Sequence, residues 1–184
     1  MVMIGVVVGT LVAMLGTASA GAATAAGPVW TALSPSTSPS PRAAASMADD
    51  PATGQVILFG GAISASASAK DTWEWTGATW TALSPANSPP ARGGAATAYD
   101  PATEQLLLFG GATSPAVNVN DTWDWNGTTW VRLKPAAFDA TMAYDSATGQ
   151  LLLFDEGTCS RDTTFEWTGS TWVNLHPATS PSTR

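Results

Sequence analysis

Three continuous apolar runs punctuate the chain: VILF (56–59), LLLF (106–109) and LLLF (151–154). A strand that faces water on one side alternates apolar and polar residues, whereas an unbroken run of this length implies burial on both faces. Each run is preceded by a turn-forming hexapeptide, DPATGQ (50–55), DPATEQ (100–105) or DSATGQ (145–150). Asp, Pro and Gly each suit a tight turn for a separate reason. Before each turn lies a small-residue strand, AAASMAD (43–49), GGAATAY (93–99) or DATMAY (139–144). After each run come a variable loop and an aromatic hairpin: DTWEWTGATW (71–80), DTWDWNGTTW (121–130) and TTFEWTGSTW (163–172).

In the hairpin, Trp and Thr suit a pleated strand. Asn126-Gly127 predicts a two-residue type I′ turn, which needs positive φ at both residues. That turn sets Trp123 opposite Trp130, Trp73 opposite Trp80 and Phe165 opposite Trp172. It also sets Glu74, Asp124 and Glu166 opposite Thr79, Thr129 and Thr171. Gly77, Gly127 and Gly169 mark the turn in each copy.

The copies are evenly spaced. Arg42 and Arg92, Asp50 and Asp100, Gly60 and Gly110, Asp71 and Asp121, and Trp80 and Trp130 are each 50 residues apart. The third copy is shorter, with its deletions in loops, where length change costs little. Four strand-like pieces per copy predict an all-β fold of β-propeller blades, each of four antiparallel strands. The Ala/Gly-rich first strand suits the crowded axis, and the Trp-rich strands suit burial between neighbouring blades.

The pattern of an apolar run, Gly60-Gly61 or Gly110-Gly111, a loop, aromatic positions and a later Trp resembles the kelch repeat. It is similar to the kelch-like central domain of galactose oxidase. The resemblance covers residues 30–184 and implies a kelch-type propeller segment. The third copy departs from it, with Asp155-Glu156 in place of Gly-Gly and Ala137 at the position of Arg92. DWNGTTW (124–130) is also similar to the Asp-box of sialidases, with one residue too many between Asp and Gly.

WTALSPSTSPSPR (30–42), WTALSPANSPPAR (80–92) and WVNLHPATSPSTR (172–184) correspond almost throughout. Residues 30–35 are therefore expected to form a lone fourth strand. The expected organisation is three blades, about 36–85, 86–135 and 136–177, with 178–184 leading into a blade that does not follow. Such an arc is a partial or open propeller. The reading favoured is an N-terminal portion of a larger propeller, and the second is a short chain that closes by self-association.

Residues 1–16 are apolar and uncharged, and Thr17-Ala18-Ser19-Ala20 supplies small residues for cleavage after Ala20. This predicts a secretory signal peptide at 1–20, a linker at 21–29, and a secreted or cell-surface product with no membrane span after removal. The n-region carries no Lys or Arg. Cys159 is the only cysteine, so it has no partner within the chain.

Lys and Arg number 7 against 14 Asp and Glu, a formal net charge of −7. Nucleic acid is not an expected partner, because no basic cluster is available for a phosphate backbone. The copper chemistry that galactose oxidase resemblance brings to mind needs His, Tyr and Cys together. The chain offers His176, Tyr99, Tyr144 and Cys159, and one His does not make a typical metal site. Tyr99 and Tyr144 hold equivalent first-strand positions and read as structural. Glu74, Asp124 and Glu166 would supply the paired carboxylates of glycoside hydrolysis. They alternate with Trp and read as structural too. No catalytic, cofactor or metal residue is assigned.

Strand alternation places the second–third loops (62–70, 112–120, 157–162) and the fourth–first loops (36–41, 86–91, 136–138) on one face. Variable loops on a rigid scaffold are where binding concentrates. Lys70, Asn118, Asn120, Arg161 and Asp162 are the candidate ligand-face residues. The expected function is an exported kelch-type module that binds protein or glycan. The alternatives are the front of a secreted carbohydrate oxidase or glycosidase-like propeller enzyme, and a truncated product without independent function.

Overall fold

The computed structural model describes residues 29–114, 117–133, 140–155, 163–177 and 179. Two units are distinguished, Met1–Ser34 and Pro35–Arg184. Of the first, residues 29–34 are described; they form no strand, and Val29, Trp30 and Leu33 are exposed. The fourth-strand sequence at 30–35 therefore does not form the expected N-terminal strand. A strand is stabilised by its ladder of hydrogen bonds, and among the described residues no strand pairs with this segment, whereas its copy at 80–83 pairs with residues 72–75.

The second unit is all-β, built from three four-stranded antiparallel sheets that stay open. In the first blade, β1 (Ser46–Asp50), β2 (Gln55–Phe59), β3 (Thr72–Trp75) and β4 (Trp80–Leu83) lie in sequence order. The second blade has β5 (Ala96–Asp100), β6 (Gln105–Phe109), β9 (Thr122–Trp125) and β10 (Trp130–Arg132). Between β6 and β9 a small ribbon forms from β7 (Ala112–Ser114) and β8 (Val117–Asn118), where the sequence suggested only a loop. The third blade has β11 (Ala140–Asp145), β12 (Gln150–Asp155), β13 (Thr163–Trp167) and β14 (Trp172–Asn174). Its second strand runs on through Asp155, where the first two blades break at Gly-Gly. The innermost strands lie side by side, β1 next to β5 and β5 next to β11.

The apolar second strands are buried on both faces, as their unbroken hydrophobicity requires. Leu106, Leu107, Leu108 and Phe109 are at most 2% exposed. Leu106 and Leu108 join Trp123, Trp125 and Trp130 against Ile57 and Phe59 of the first blade. On the other side Leu107 packs with Leu151 and Trp167 of the third. The fourth-strand Trp of each later blade reaches back to its predecessor. Trp130 Nε1 donates to Thr72 Oγ1 at 3.0 Å and sets its ring edge-on to Phe59, 5.5 Å away. Trp172 Nε1 donates to Thr122 Oγ1 at 3.1 Å, with its ring 6.2 Å from Phe109.

The hairpin register differs from expectation. Trp125 pairs with Trp130, Asp124 with Val131 and Trp123 with Arg132. The other blades agree: Trp75 pairs with Trp80, Trp73 with Ala82, Trp167 with Trp172 and Phe165 with Asn174. The third-strand carboxylates accordingly face Thr81, Val131 and Val173 rather than Thr79, Thr129 and Thr171. The turn is centred one residue later than Asn126-Gly127 in all three blades. Each is closed by a backbone bond across a four-residue loop, from Thr76 N–H to Thr79 O, Asn126 N–H to Thr129 O and Thr168 N–H to Thr171 O. In the second blade the loop is reinforced by Asn126. Its Oδ1 accepts the backbone N–H groups of Thr128 and Thr129 at 3.1 and 3.0 Å, in the manner of an Asx turn. Only Gly127 has positive φ, at 88°, so the turn is not type I′. A register shift of two residues keeps every side chain on its face, so Trp123, Trp125 and Trp130 still share one side.

The first turn of each blade is an Asx turn as well. Asp50, Asp100 and Asp145 accept the N–H of Ala52, Ala102 and Ala147 at 3.1, 3.0 and 2.9 Å. Two positions after each of these alanines the chain takes a left-handed conformation, at Gly54 (φ 70°), Glu104 (φ 56°) and Gly149 (φ 74°). Glu104 is exposed, so it bears the left-handed strain with no burial to offset it. Glu104→Gly is expected to stabilise the chain by about 1 kcal/mol. That should raise the thermal midpoint by about 2–4 °C. A midpoint that stays or falls in calorimetry would show that the Glu104 conformation carries no strain.

Candidate functional site

The loops that share one end of the blades are joined to one another by backbone. Ala43 exchanges both hydrogen bonds with Ala62, at 2.9 and 2.7 Å. Gly61 N–H donates to Arg92 O, Arg92 N–H to Ala69 O, and Gly94 N–H to Ala44 O. In the second blade Gly93 and Ala112 form the same kind of bridge. The second–third loop of one blade is thus stitched to the lead-in of the next. Such close approach demands glycine: a Cβ on Gly60 would stand 2.6 Å from Arg92 O, and one on Gly111 would stand 2.8 Å from Gly93 O.

Beneath these loops lies a repeated ion pair. Arg92 holds both carboxylate oxygens of Asp121, at 2.5 and 3.1 Å, and also donates to Gly110 O at 2.8 Å. Its side chain is fully buried, and Asp121 is 7% exposed. Trp123 Nε1 donates to the same carboxylate at 2.8 Å. Arg42 repeats this set, bidentate to Asp71 at 2.6 and 2.9 Å and bonded to Gly60 O at 2.9 Å, with Trp73 Nε1 on Asp71. The Asp71 side chain is 36% exposed, so the first clamp is the wetter one. Backbone bonds from Gly60 to Asp71 O and from Gly110 to Asp121 O close the foot of each loop. The pairing went unseen in the sequence, although both partners recur at 50-residue spacing; the third copy has Ala137 and Thr163 at these positions.

Burial pushes the Asp121 carboxyl up, but the hydrogen bonds from Arg92 and Trp123 and the charge of Arg92 outweigh it. The carboxyl is held below its ordinary 3.8. Asp71 behaves alike, with burial opposed by Arg42 and Trp73. Asp124 goes the other way. Burial raises it, only Gln105 lowers it, and its Oδ1 is buried with no hydrogen-bond partner. Gln105 Oε1 in turn accepts from Trp167 Nε1 of the third blade at 2.8 Å. Asp124 therefore belongs to a polar chain between blades rather than to an open cleft.

The residues considered for chemistry are not assembled. Tyr99 and Tyr144 lie on the innermost strands and pack against the two hydrophobic clusters. His176 follows the outermost strand of the third blade and is exposed, its N–H donating to Asn174 Oδ1 at 2.9 Å. Glu74, Asp124 and Glu166 belong to three different blades. Among the described residues no three His, Cys, Asp or Glu side chains gather as a metal site, and no helix is long and apolar enough to cross a membrane. Of the candidate ligand-face residues, Lys70 and Asn118 are exposed and Asn120 is half-buried, all on second–third connections. Arg161, Asp162 and Cys159 lie outside the described residues.

The blades and their packing define a β-propeller-like fold. No family model matches the chain, and no curated protein matches its sequence. Among solved structures it is similar to that of YjhT, with a TM-score of 0.54 and 15% identity over 79% of this chain and 48% of that one. The chain thus spans about half the length of that structure, and the likeness is one of fold. It is also similar to a fucose lectin from Kordia zhangzhouensis in complex with methyl-fucoside, with a TM-score of 0.39 and 15% identity over 72% of this chain and 98% of that one.

Asp121 and Asp124 of the second blade should respond oppositely to Asn substitution. Asp121 has a depressed folded pKa, so its contribution is fully present above the ordinary value and is lost as pH falls through the folded one. Asp121→Asn should cost about 3–5 kcal/mol at neutral pH by stripping the buried Arg92 of its partner, and less in acid. Asp124 has a raised pKa, so its contribution is present below the ordinary value and is lost as pH rises through the folded one. Asp124→Asn should therefore raise the neutral-pH midpoint and converge with wild type below about pH 3.8. Thermal melts across pH check both, and a destabilised Asp124→Asn at neutral pH would refute the second assignment.

Proposed function

We propose that the chain is an exported β-propeller module of kelch type, similar to the central domain of galactose oxidase, that binds protein or glycan through its loop face. The observation that carries this reading is the buried Arg92–Asp121 clamp under the loops. A fixed foot lets a loop of variable sequence hold one shape, and this lowers the ordering cost of binding. Tyr99 and Tyr144 pack in the inter-blade clusters, and Asp124 is linked through Gln105 to Trp167 of the third blade. Lys70, Asn118 and Asn120 are the ligand-face residues of this reading, with Arg161 and Asp162 assigned to the same face from the sequence. Export rests on the leader at 1–20.

Screening the chain on arrayed glycans, and by pull-down with sequencing of captured proteins, identifies the class. Calorimetry with the best-binding free oligosaccharide or purified protein then measures affinity. Lys70→Ala and Asn118→Ala should each weaken binding by about tenfold, with melting midpoints unchanged. A ligand whose affinity ignores both substitutions would move the site off this face.

A further inference from the structure

The contact that joins successive blades has a donor and an acceptor, and among the described residues the third blade's acceptor receives no Trp N–H. Thr72 and Thr122 pair across the sheet with Phe59 and Phe109, and each receives a Trp N–H from the following blade. Thr164 pairs with Phe154 in the same register. Among the described residues no Trp N–H reaches Thr164. Exposure agrees: Phe59 and Phe109 are 1% and 0% exposed and Thr72 and Thr122 are 1% and 0%, whereas Phe154, Leu152 and Thr164 are all half-buried. The face formed by Leu152, Phe154 and Thr164 is thus the apolar half of an inter-blade joint.

The chain also carries an unengaged donor. Residues 30–35 have the sequence WTALSP, identical to 80–85. Trp80 is buried within its own blade at 3% exposure, but Trp30 is 70% exposed, and Leu33 beside it is 52% exposed. We propose that the Leu152–Phe154–Thr164 face of one copy receives Trp30 of a second copy, with the indole N–H on Thr164 Oγ1 and the ring edge-on to Phe154. The occupant is chosen because Trp30 holds the repeat position of Trp130 and Trp172, whose N–H groups make this joint, and by continuity with an interface the fold already makes twice. The contact is head-to-tail, and reciprocal exchange between two copies closes it.

The test uses the 184-residue chain and a fluorescein-labelled peptide PVWTALSP, residues 28–35. Fluorescence anisotropy should show saturable binding of the peptide to the Trp30→Ala chain. Replacing the peptide's Trp by Ala, or Phe154 by Ala in the chain, should weaken it by about tenfold or more. Thr164→Val keeps the shape and the fold and removes only the acceptor, so it should weaken binding severalfold with near-ultraviolet circular dichroism unchanged. In sedimentation velocity the unsubstituted chain should associate with increasing concentration, and Trp30→Ala should shift it toward monomer. Absence of saturable peptide binding overturns the proposal, as does binding indifferent to Phe154→Ala and Thr164→Val. Association unchanged by Trp30→Ala overturns it too. A monomer whose Trp30 emission is that of a buried indole would place the segment elsewhere and exclude the second copy.

Discussion

The architecture depends on one indole crossing from each blade to the one before it. Trp130 and Trp172 bring ring area and a directed N–H to the same place, and both must be satisfied together. Burying such a ring contributes roughly 4–6 kcal/mol of gross transfer free energy. Leaving its N–H without an acceptor would cost roughly 1–3 kcal/mol. The threonine opposite each second-strand phenylalanine therefore fixes the distance and angle at which blades meet. Small inner strands and bulky outer hairpins then give each sheet its place in the fan, with β1, β5 and β11 adjacent at the narrow side.

Much of this was legible in the chain. The unbroken VILF and LLLF runs announced strands buried on both faces, and the 50-residue spacing announced blades. The hairpin centre was not legible. The positive φ expected at Asn126 was inferred from the Asn-Gly pair, whereas all three hairpins, with Thr76, Asn126 or Thr168 at that position, close a four-residue loop through the same backbone bond. The Arg92–Asp121 clamp was visible only as two separate repeats. Its partners lie 29 residues apart, with β5 and β6 between them, and nothing local to either residue announces the other. Residues 30–35 teach the complementary lesson. They match a strand in sequence and form none, because β structure is a property of pairs.

The candidate site divides along the same line. Lys70, Asn118 and Asn120 were placed on the loop face by strand alternation, which needs no side-chain geometry. Asp121 and Asp124, by contrast, look interchangeable in sequence. They lie three residues apart, yet one is held charged by Arg92 and the other is pressed toward its neutral form by burial. What separates them is the partner each meets, Arg92 and Trp123 for Asp121 and only Gln105 for Asp124.

The closed loop feet matter in a further way. Gly60 to Asp71 and Gly110 to Asp121 are the same gateway, yet the first blade spans it with a bend at 63–66 and the second with a two-stranded ribbon. Two unlike inserts already share one socket without disturbing the strands on either side. For protein engineering, the segment between these anchors is a cassette. Foreign sequence can be exchanged there while its attachment points stay with the scaffold.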